Sequence, residues 1–213
     1  VCAVVDAGVA PGIPNFLLGY WDSKIKVNSF DYLVGGLPKN PLPPYNYKAP
    51  FSPIDVIEEY TRPARMMINS KIVTKPALSE IEELDIIDAG KLEAFNTDGL
   101  RSLLITMDHI PNMKEKTLRY PGHAALMQSI IDKNLFDENN FKNTVQKLFN
   151  DWKLNDNEPE FTVLDINIYG SEKNIHYHLY DEMDMLSKSS SMAPKQRIQS
   201  TRNLDKVLKK ILD

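Results

Sequence analysis

Four groups of polar side chains in this sequence have types and spacings that could do chemistry. In Leu118-Arg119-Tyr120-Pro121-Gly122-His123, a cation, a phenol and an imidazole fall within five residues. His123 could exchange protons near neutral pH, and Arg119 could clamp a carboxylate. A surface or capping histidine at a helix start is the plainer alternative. Asn96-Thr97-Asp98-Gly99-Leu100-Arg101 is expected to open a helix that Thr97 or Asp98 caps, with Arg101 one turn in. Orphan N–H groups and a guanidinium there would suit an amino-acid carboxylate, although capping alone explains Asp98 equally well. Asp6 to Gly12 forms a tight loop at the end of an apolar run, where a carboxylate and several backbone N–H groups could meet an amine, a carboxylate or a cofactor. A simple turn with an Asp cap is the rival reading. His176-x-His178 sets two imidazoles on one strand face near Asp181, Glu182 and Asp184. A third convincing zinc ligand is missing, so solvent-facing hairpin residues are expected and no metal. Cys2 has no activating neighbour in sequence.

Alternating and helical periodicities indicate the elements that must position these groups. Val1–Val5 reads as a buried strand broken at Pro11-Gly12, and Pro14 suits the first turn of a helix carrying Phe16, Leu17, Leu18 and Tyr20. Phe30–Val34 is a strand expected to end at Gly35-Gly36. Four prolines in Leu37–Tyr47 mark a loop. Ser52-Pro53 looks like the start of a helix over Ile54–Tyr60. A hairpin is expected over Met66–Val73 with its turn at Asn69-Ser70. Another turn falls at Ala89-Gly90, before a strand at Lys91–Phe95. Asp98–Met107 should be helical, Lys116–Tyr120 a short strand, and Gly122–Lys133 a helix. Phe141, Val145, Leu148, Phe149 and Trp152 make a helical stripe with a cap in Asp137–Asn140. Val163–Tyr169 and Ile175–Tyr180 alternate as the arms of a hairpin turning at Gly170–Asn174. Ser187–Ser191 is a polar break, and Leu204, Val207, Leu208 and Ile211 suggest a short terminal helix. Together these predict an α+β fold, a mixed and largely antiparallel sheet with helices on one face.

Composition narrows the function classes. At 213 residues, with 42% apolar and 25% charged side chains, the chain can bury a real core. A net charge of −4 supplies no basic field for nucleic acid or anionic lipid. No apolar run approaches the ~20 residues of a membrane helix, and no signal-peptide order opens the chain, so a cytoplasmic protein is expected. The Gly-x-Gly-x-x-Gly fingerprint and the P-loop are both missing. The chain also starts inside an apolar run without Met, from which a piece of something longer is expected.

Six segments in order resemble the saccharopine dehydrogenase-like family, its lysine 6-dehydrogenase branch above all. They are DAGVAPGIPN from Asp6, GGLPKNPLPPYNYKAPFSP from Gly35, EEYTRPA from Glu58, LEAFNTDGL from Leu92, KTLRYPGH from Lys116 and SSSMA from Ser189. The resemblance implies a saccharopine dehydrogenase C-terminal-like fold, akin to the C-terminal domain of glyceraldehyde-3-phosphate dehydrogenase. It implies a substrate-binding and dimerisation domain over 1–193 and a divergent basic tail over 194–213. The implied activity is an NAD- or NADP-dependent oxidation of the CH–NH bond of lysine or an adduct such as saccharopine, with the nucleotide held by an N-terminal Rossmann half that this sequence lacks. Carried over by motif, Asp6, Gly8, Pro11 and Gly12 would border the cofactor, and Lys48, Ser52 and Tyr60 the substrate. Thr97, Arg101, Arg119 and Tyr120 would also bind substrate, with His123 or Asp98 moving the proton. A homodimer is implied. Three departures stand out: the missing nucleotide-binding start, Pro194-Lys195-Gln196-Arg197 where the family has Arg-Thr-Thr-Gly-Phe, and Ala7 where many relatives have Cys. The rival reading is a non-catalytic dimeric binding or scaffold protein derived from that family.

Overall fold

A computed structural model describes residues 5–49, 52–155 and 158–183. Its backbone is one eight-stranded sheet with five α-helices packed on it. Helix α1 (Ile13–Asp22) has Pro14 in its first turn, where the missing N–H is harmless, and buries Leu17 and Leu18. Strand β1 (Val27–Pro38) follows, then α2 (Pro53–Thr61), the hairpin β2 (Ala64–Ile68) and β3 (Lys71–Lys75), and the hairpin β4 (Glu82–Ile86) and β5 (Gly90–Asn96). The short α3 (Leu103–Thr106) leads to β6 (Asn112–Arg119), α4 (His123–Asp132) and α5 (Phe141–Asp151). The long hairpin β7 (Glu160–Gly170) and β8 (Asn174–Met183) ends the described chain.

Strand order is β3-β2-β6-β1-β7-β8, with β5 also pairing with β6 and carrying β4. Only β1 and β6 run parallel among the paired strands; the other pairings are antiparallel. The α+β class and the mixed, largely antiparallel sheet with helices are therefore as expected. The period-2 alternation of β1 and β7 feeds two apolar clusters. Phe30 and Tyr32 pair with Ile168 and Ile166 in one, which α1 and α3 complete through Leu17, Leu18, Leu103 and Leu104. Leu37 pairs with Phe161 in the other, which receives Val56, Ile57 and Tyr60 of α2, Met127 of α4, and Leu148 with Trp152. The helices thus divide between two cores.

Two expected boundaries fail for tertiary reasons. Strand β1 does not stop at Gly35-Gly36 but runs on to Pro38, because β7 pairs with it as far as Pro38 opposite Glu160, while Gly35 lets β6 lie close on the other side. A Cβ on Gly35 would lie 3.0 Å from the Leu118 Cβ. The helix expected from Asp98 to Met107 shrinks to α3. Gly99 passes over the Glu115 side chain, Arg101 adopts φ 48°, and Asp98 is drawn away to two arginines. Strand β4 was not anticipated, since Glu82, Glu83 and Asp85 are exposed and leave little apolar alternation to read. Of Val1–Val5 only Val5 is described, and it is exposed. Cys2, the polar break at Ser187–Ser191, the SSSMA segment, the terminal helix and the 194–213 tail lie outside the described residues. No helix among the described residues is long and apolar enough to cross a membrane.

Candidate functional site

Helix α2 places Asp55, Glu58 and Glu59 at i, i+3 and i+4, a polar stripe along one face that Arg62 continues from the C-cap, where the backbone has turned extended. Val56, Ile57 and Tyr60 hold its other side in the core. Opposite the stripe, β1 and β6 run side by side with Tyr32 paired to Glu115 and Val34 to Thr117, so these four side chains share one face of the sheet. The segment Thr97–Arg101 closes one wall, and Ala10 with Pro11 another. The result is a cavity of about 550 Å³ of atom-free space, solvent at its mouth included.

Its charge is lopsided. Asp55, Glu58, Glu59, Asp98 and Glu115 line it against two cations, Arg62 and Arg101. Most of the carboxylates have a cationic partner. Asp98 is buried and held by the Arg65 guanidinium through Nε at 2.9 Å and Nη2 at 2.8 Å, by the Arg65 backbone N–H at 3.1 Å and by Arg62 at 3.3 Å. Although burial works the other way, these contacts hold its carboxyl below the usual aspartate range. Glu59 lies 3.6 Å from the Arg119 guanidinium and Glu58 3.9 Å from Arg62. Burial still raises the Glu59 carboxyl above its ordinary value, with Arg119 and Arg62 opposing.

Glu115 differs from these. It is 3% exposed and accepts hydrogen bonds from the Thr97 hydroxyl, 2.8 Å from both carboxylate oxygens, and from the Gly99 N–H at 2.9 Å. Thr117 adds a longer bond at 3.4 Å and lies 2.7 Å from Thr97. No arginine or lysine pairs with it among the described residues. Burial pushes its carboxyl up to about 7, with the negative charge of Glu59 adding to the effect and the Thr97 and Gly99 donors opposing it. On the same face Tyr32 donates its O–H to the Gly99 carbonyl at 2.8 Å, and burial raises its phenol well above the ordinary range.

The residues singled out from the sequence divide sharply. Pro11, Thr97, Asp98 and Arg101 come together on this cavity. Tyr60, Arg119 and His123 form a separate, buried chain. Arg119 Nε donates to the Tyr60 hydroxyl at 2.8 Å, and its guanidinium lies 4.5 Å from the Tyr47 ring centre. His123 Nδ1 lies 2.8 Å from the Tyr45 carbonyl oxygen, so it must carry the proton, leaving Nε2 to accept the Tyr60 O–H at 2.9 Å. Burial, with Arg119 nearby, holds that imidazole down at about 3.

These contacts correct several expectations. His123 is a neutral structural imidazole rather than a proton carrier, because both ring nitrogens are spent and it is fully enclosed. Asp98 is likewise unsuited to accept a proton, being saturated by two arginines. Arg119 is 3% exposed between aromatic rings and is not a free carboxylate clamp. Tyr120 donates to the Pro38 carbonyl at 2.8 Å, tying the ends of β6 and β1. Lys48 caps α5 from outside, donating to the Asp151 and Lys153 carbonyls, both at 3.2 Å. Ser52 sits exposed at the N-cap position of α2, its side chain making no capping bond.

In the first loop, Asp6 accepts the Ser102 N–H at 3.3 Å. Gly8 N–H donates to the Pro11 carbonyl at 2.9 Å, after a cis Ala10–Pro11 peptide, and Gly12 N–H donates to Asn15 Oδ1 at 3.2 Å. The loop N–H groups expected to face a ligand at Gly8 and Gly12 are spent within the turn. Only Ala10 and Pro11 reach the cavity. Tyr32, Asp55, Glu58, Glu59, Arg62, Glu115 and Thr117 went unremarked as site residues. The polar i, i+3, i+4 stripe of α2, continued by Arg62, was the signal that could have found four of them.

His176 and His178 share Asp165, at 2.7 Å from His176 Nε2 and 3.0 Å from His178 Nδ1. No group of three or more potential ligands among the described residues is arranged to hold a metal.

Comparison with solved structures shows a likeness of fold to the apo, histidine-tagged saccharopine dehydrogenase (L-Glu forming) from Saccharomyces cerevisiae, with a TM-score of 0.62 at 17% identity. The match covers 93% of this chain and 64% of that one, so this chain spans less than two thirds of that protein. Residues 8–199 match the family described as saccharopine dehydrogenase C-terminal domain, nearly the whole sequence, and the chain belongs to that family.

Proposed function

We propose that the chain is the substrate-binding portion of an NAD(P)-dependent oxidoreductase acting on the CH–NH bond of lysine or a lysine adduct such as saccharopine. The observation that carries this reading is the surplus of acid on the cavity: Asp55 and Glu115 have no cationic partner among the described residues, beside Glu58, Glu59 and Asp98, whose charges Arg62, Arg65 and Arg119 meet. Such a cavity favours a ligand bearing an ammonium group. Arg101, exposed and without an ion pair among the described residues, is left to meet the carboxylate of an amino acid. The opposed charges would orient a zwitterion with its side-chain nitrogen inward.

Toward a nicotinamide cofactor this chain offers the apolar edge of Ala10 and Pro11, which suits a planar ring better than a phosphate. Once bound, such a group would accept hydride from the carbon that carries nitrogen. The protein's share is then orientation, exclusion of water and proton exchange at the nitrogen.

Calorimetric titration of the purified chain with L-lysine, saccharopine and cadaverine tests the reading. Lysine or saccharopine should bind, and cadaverine, which lacks a carboxylate, should bind at least tenfold more weakly. Arg101→Ala should erase that preference. Equal affinity for the diamine and the amino acids would count against the assignment of Arg101. Absence of any binding would count against the cavity.

A further inference from the structure

Of the two buried carboxylates on the cavity, Asp98 is neutralised by Arg62 and Arg65, whereas Glu115 faces the same space with only neutral donors on it. A buried carboxylate held by hydroxyl and N–H groups is pre-oriented but lacks a counter-charge, and an incoming cation would supply one. We propose that Glu115 receives the ammonium group of the substrate and takes its proton, an inference that rests on the amine-binding reading above. The step is a simple transfer: R–NH3+ and carboxylate become R–NH2 and carboxylic acid, the N–H electron pair staying on nitrogen. The free amine is the form whose lone pair can drive hydride from the adjacent carbon.

The surroundings fit that role. Thr97 bonds both oxygens of Glu115, so the carboxylate cannot swing, and Gly99 makes room for it; a Cβ there would lie 2.5 Å from the Glu115 carboxyl carbon. The Thr117 hydroxyl, 2.7 Å from that of Thr97, also lines the cavity, which gives the proton a two-hydroxyl path back to it. Charged and titratable groups share the cavity with Glu115 from each neighbouring element: Tyr32 on β1, Glu59 on α2 and Arg62 at its C-cap, and Asp98 and Arg101 on the segment after β5, while Asp6 on the first loop bears on Tyr32. Tyr32 stays protonated and Asp98 stays ionised across neutral pH. Glu59 adds a negative neighbour that an ammonium group relieves.

The test is L-lysine binding to the full 213-residue chain from pH 6 to 8, by calorimetry in two buffers of different ionisation enthalpy. For a carboxyl near 7, affinity should rise about tenfold over that range, with proton release at the acid end. Glu115→Gln should bind more weakly at pH 8 and show no slope, and thermal melting would verify that it is folded. Nε-acetyl-lysine, which keeps the α-carboxylate but carries no side-chain ammonium, should bind the unaltered protein weakly and without the pH slope, a result that needs no variant. If Glu115→Gln or acetyl-lysine gives the same profile as the original pair, Glu115 is not the amine's partner, although the cavity still binds amino acids. If neither lysine nor saccharopine binds at any pH, both the cavity reading and the role of Glu115 fall.

Discussion

At the scale of the residue, the cavity shows how one side-chain type takes two states through its partners. Asp98 and Glu115 are both buried, yet the first is held ionised by two guanidiniums and the second is driven toward neutrality by burial without a cation. The consequence for stability has a definite sign. A carboxyl raised from 4.5 to about 7 binds its proton more tightly in the folded chain than in the unfolded one. Its favourable contribution is therefore full below the unfolded value and is lost as pH rises through the folded one. Glu115→Gln removes this titration. The variant should gain on the original protein between about pH 4.5 and 7, by on the order of 2–3 kcal/mol. Urea melts at pH 4.5 and pH 8 would measure it. A constant difference between the two proteins at both pH values would mean that Glu115 titrates normally.

At the scale of the element, the first loop and α2 do different work from what their sequences suggest. The loop is a self-contained knot. Gly12 has φ 153°, and a Cβ there would fall 2.0 Å from the Gly8 carbonyl oxygen. Gly12→Ala must open the turn and release Ala10 and Pro11 from the cavity wall. We expect a loss of at least ~3 kcal/mol, from the backbone clash added to the strained dihedral. Denaturant unfolding would reveal it, and a loss under about 1 kcal/mol would show that the turn can rearrange. Helix α2 faces two ways. Its apolar side seats it in the core, and its charged side at Asp55, Glu58 and Glu59, continued by Arg62, becomes a wall of the cavity. The Arg119–Tyr60–His123 chain fixes α2 to β6 and α4 from behind.

At the scale of the whole molecule, the sheet sets the order of stability. β1 is paired with β7 from Val27 to Pro38 and, over its middle from Ser29 to Val34, with β6 as well, and both of its faces feed apolar cores. β3 and β8 lie at the ends of the strand order. Amide hydrogen exchange should therefore be slowest in β1, β6 and β7 and markedly faster in β3, whose residues are largely exposed or half-exposed. Comparable protection in β3 and β1 would mean that the edge is covered in solution. Because β1 and β6 also carry Tyr32, Glu115 and Thr117, the floor of the cavity should be among the most protected parts of the fold.

Much of this was legible in the sequence, for a local reason. The β7–β8 hairpin, the turn at Asn69-Ser70 and the helices opened by Pro14 and Pro53 are written in alternation, turn residues and proline geometry, which act within a few positions. The segments at Asp6, Glu58, Leu92 and Lys116 likewise pointed to the right family and to four residues that do meet on the cavity: Pro11, Thr97, Asp98 and Arg101. What the sequence could not show was which polar group pairs with which. His123 and Glu115 are eight positions apart, and nothing local distinguishes an imidazole locked between a carbonyl and a phenol from a carboxylate left without a cation. That difference depends on Tyr45, Tyr60, Thr97 and Gly99, brought together from distant segments. The sequence by itself determined most of the elements, though not β4 or the extent of β1 and α3, and the kinship of the chain, since periodicity and motif order are properties of the string. The tertiary structure alone decided the chemistry, because burial and charge pairing belong to contacts in space.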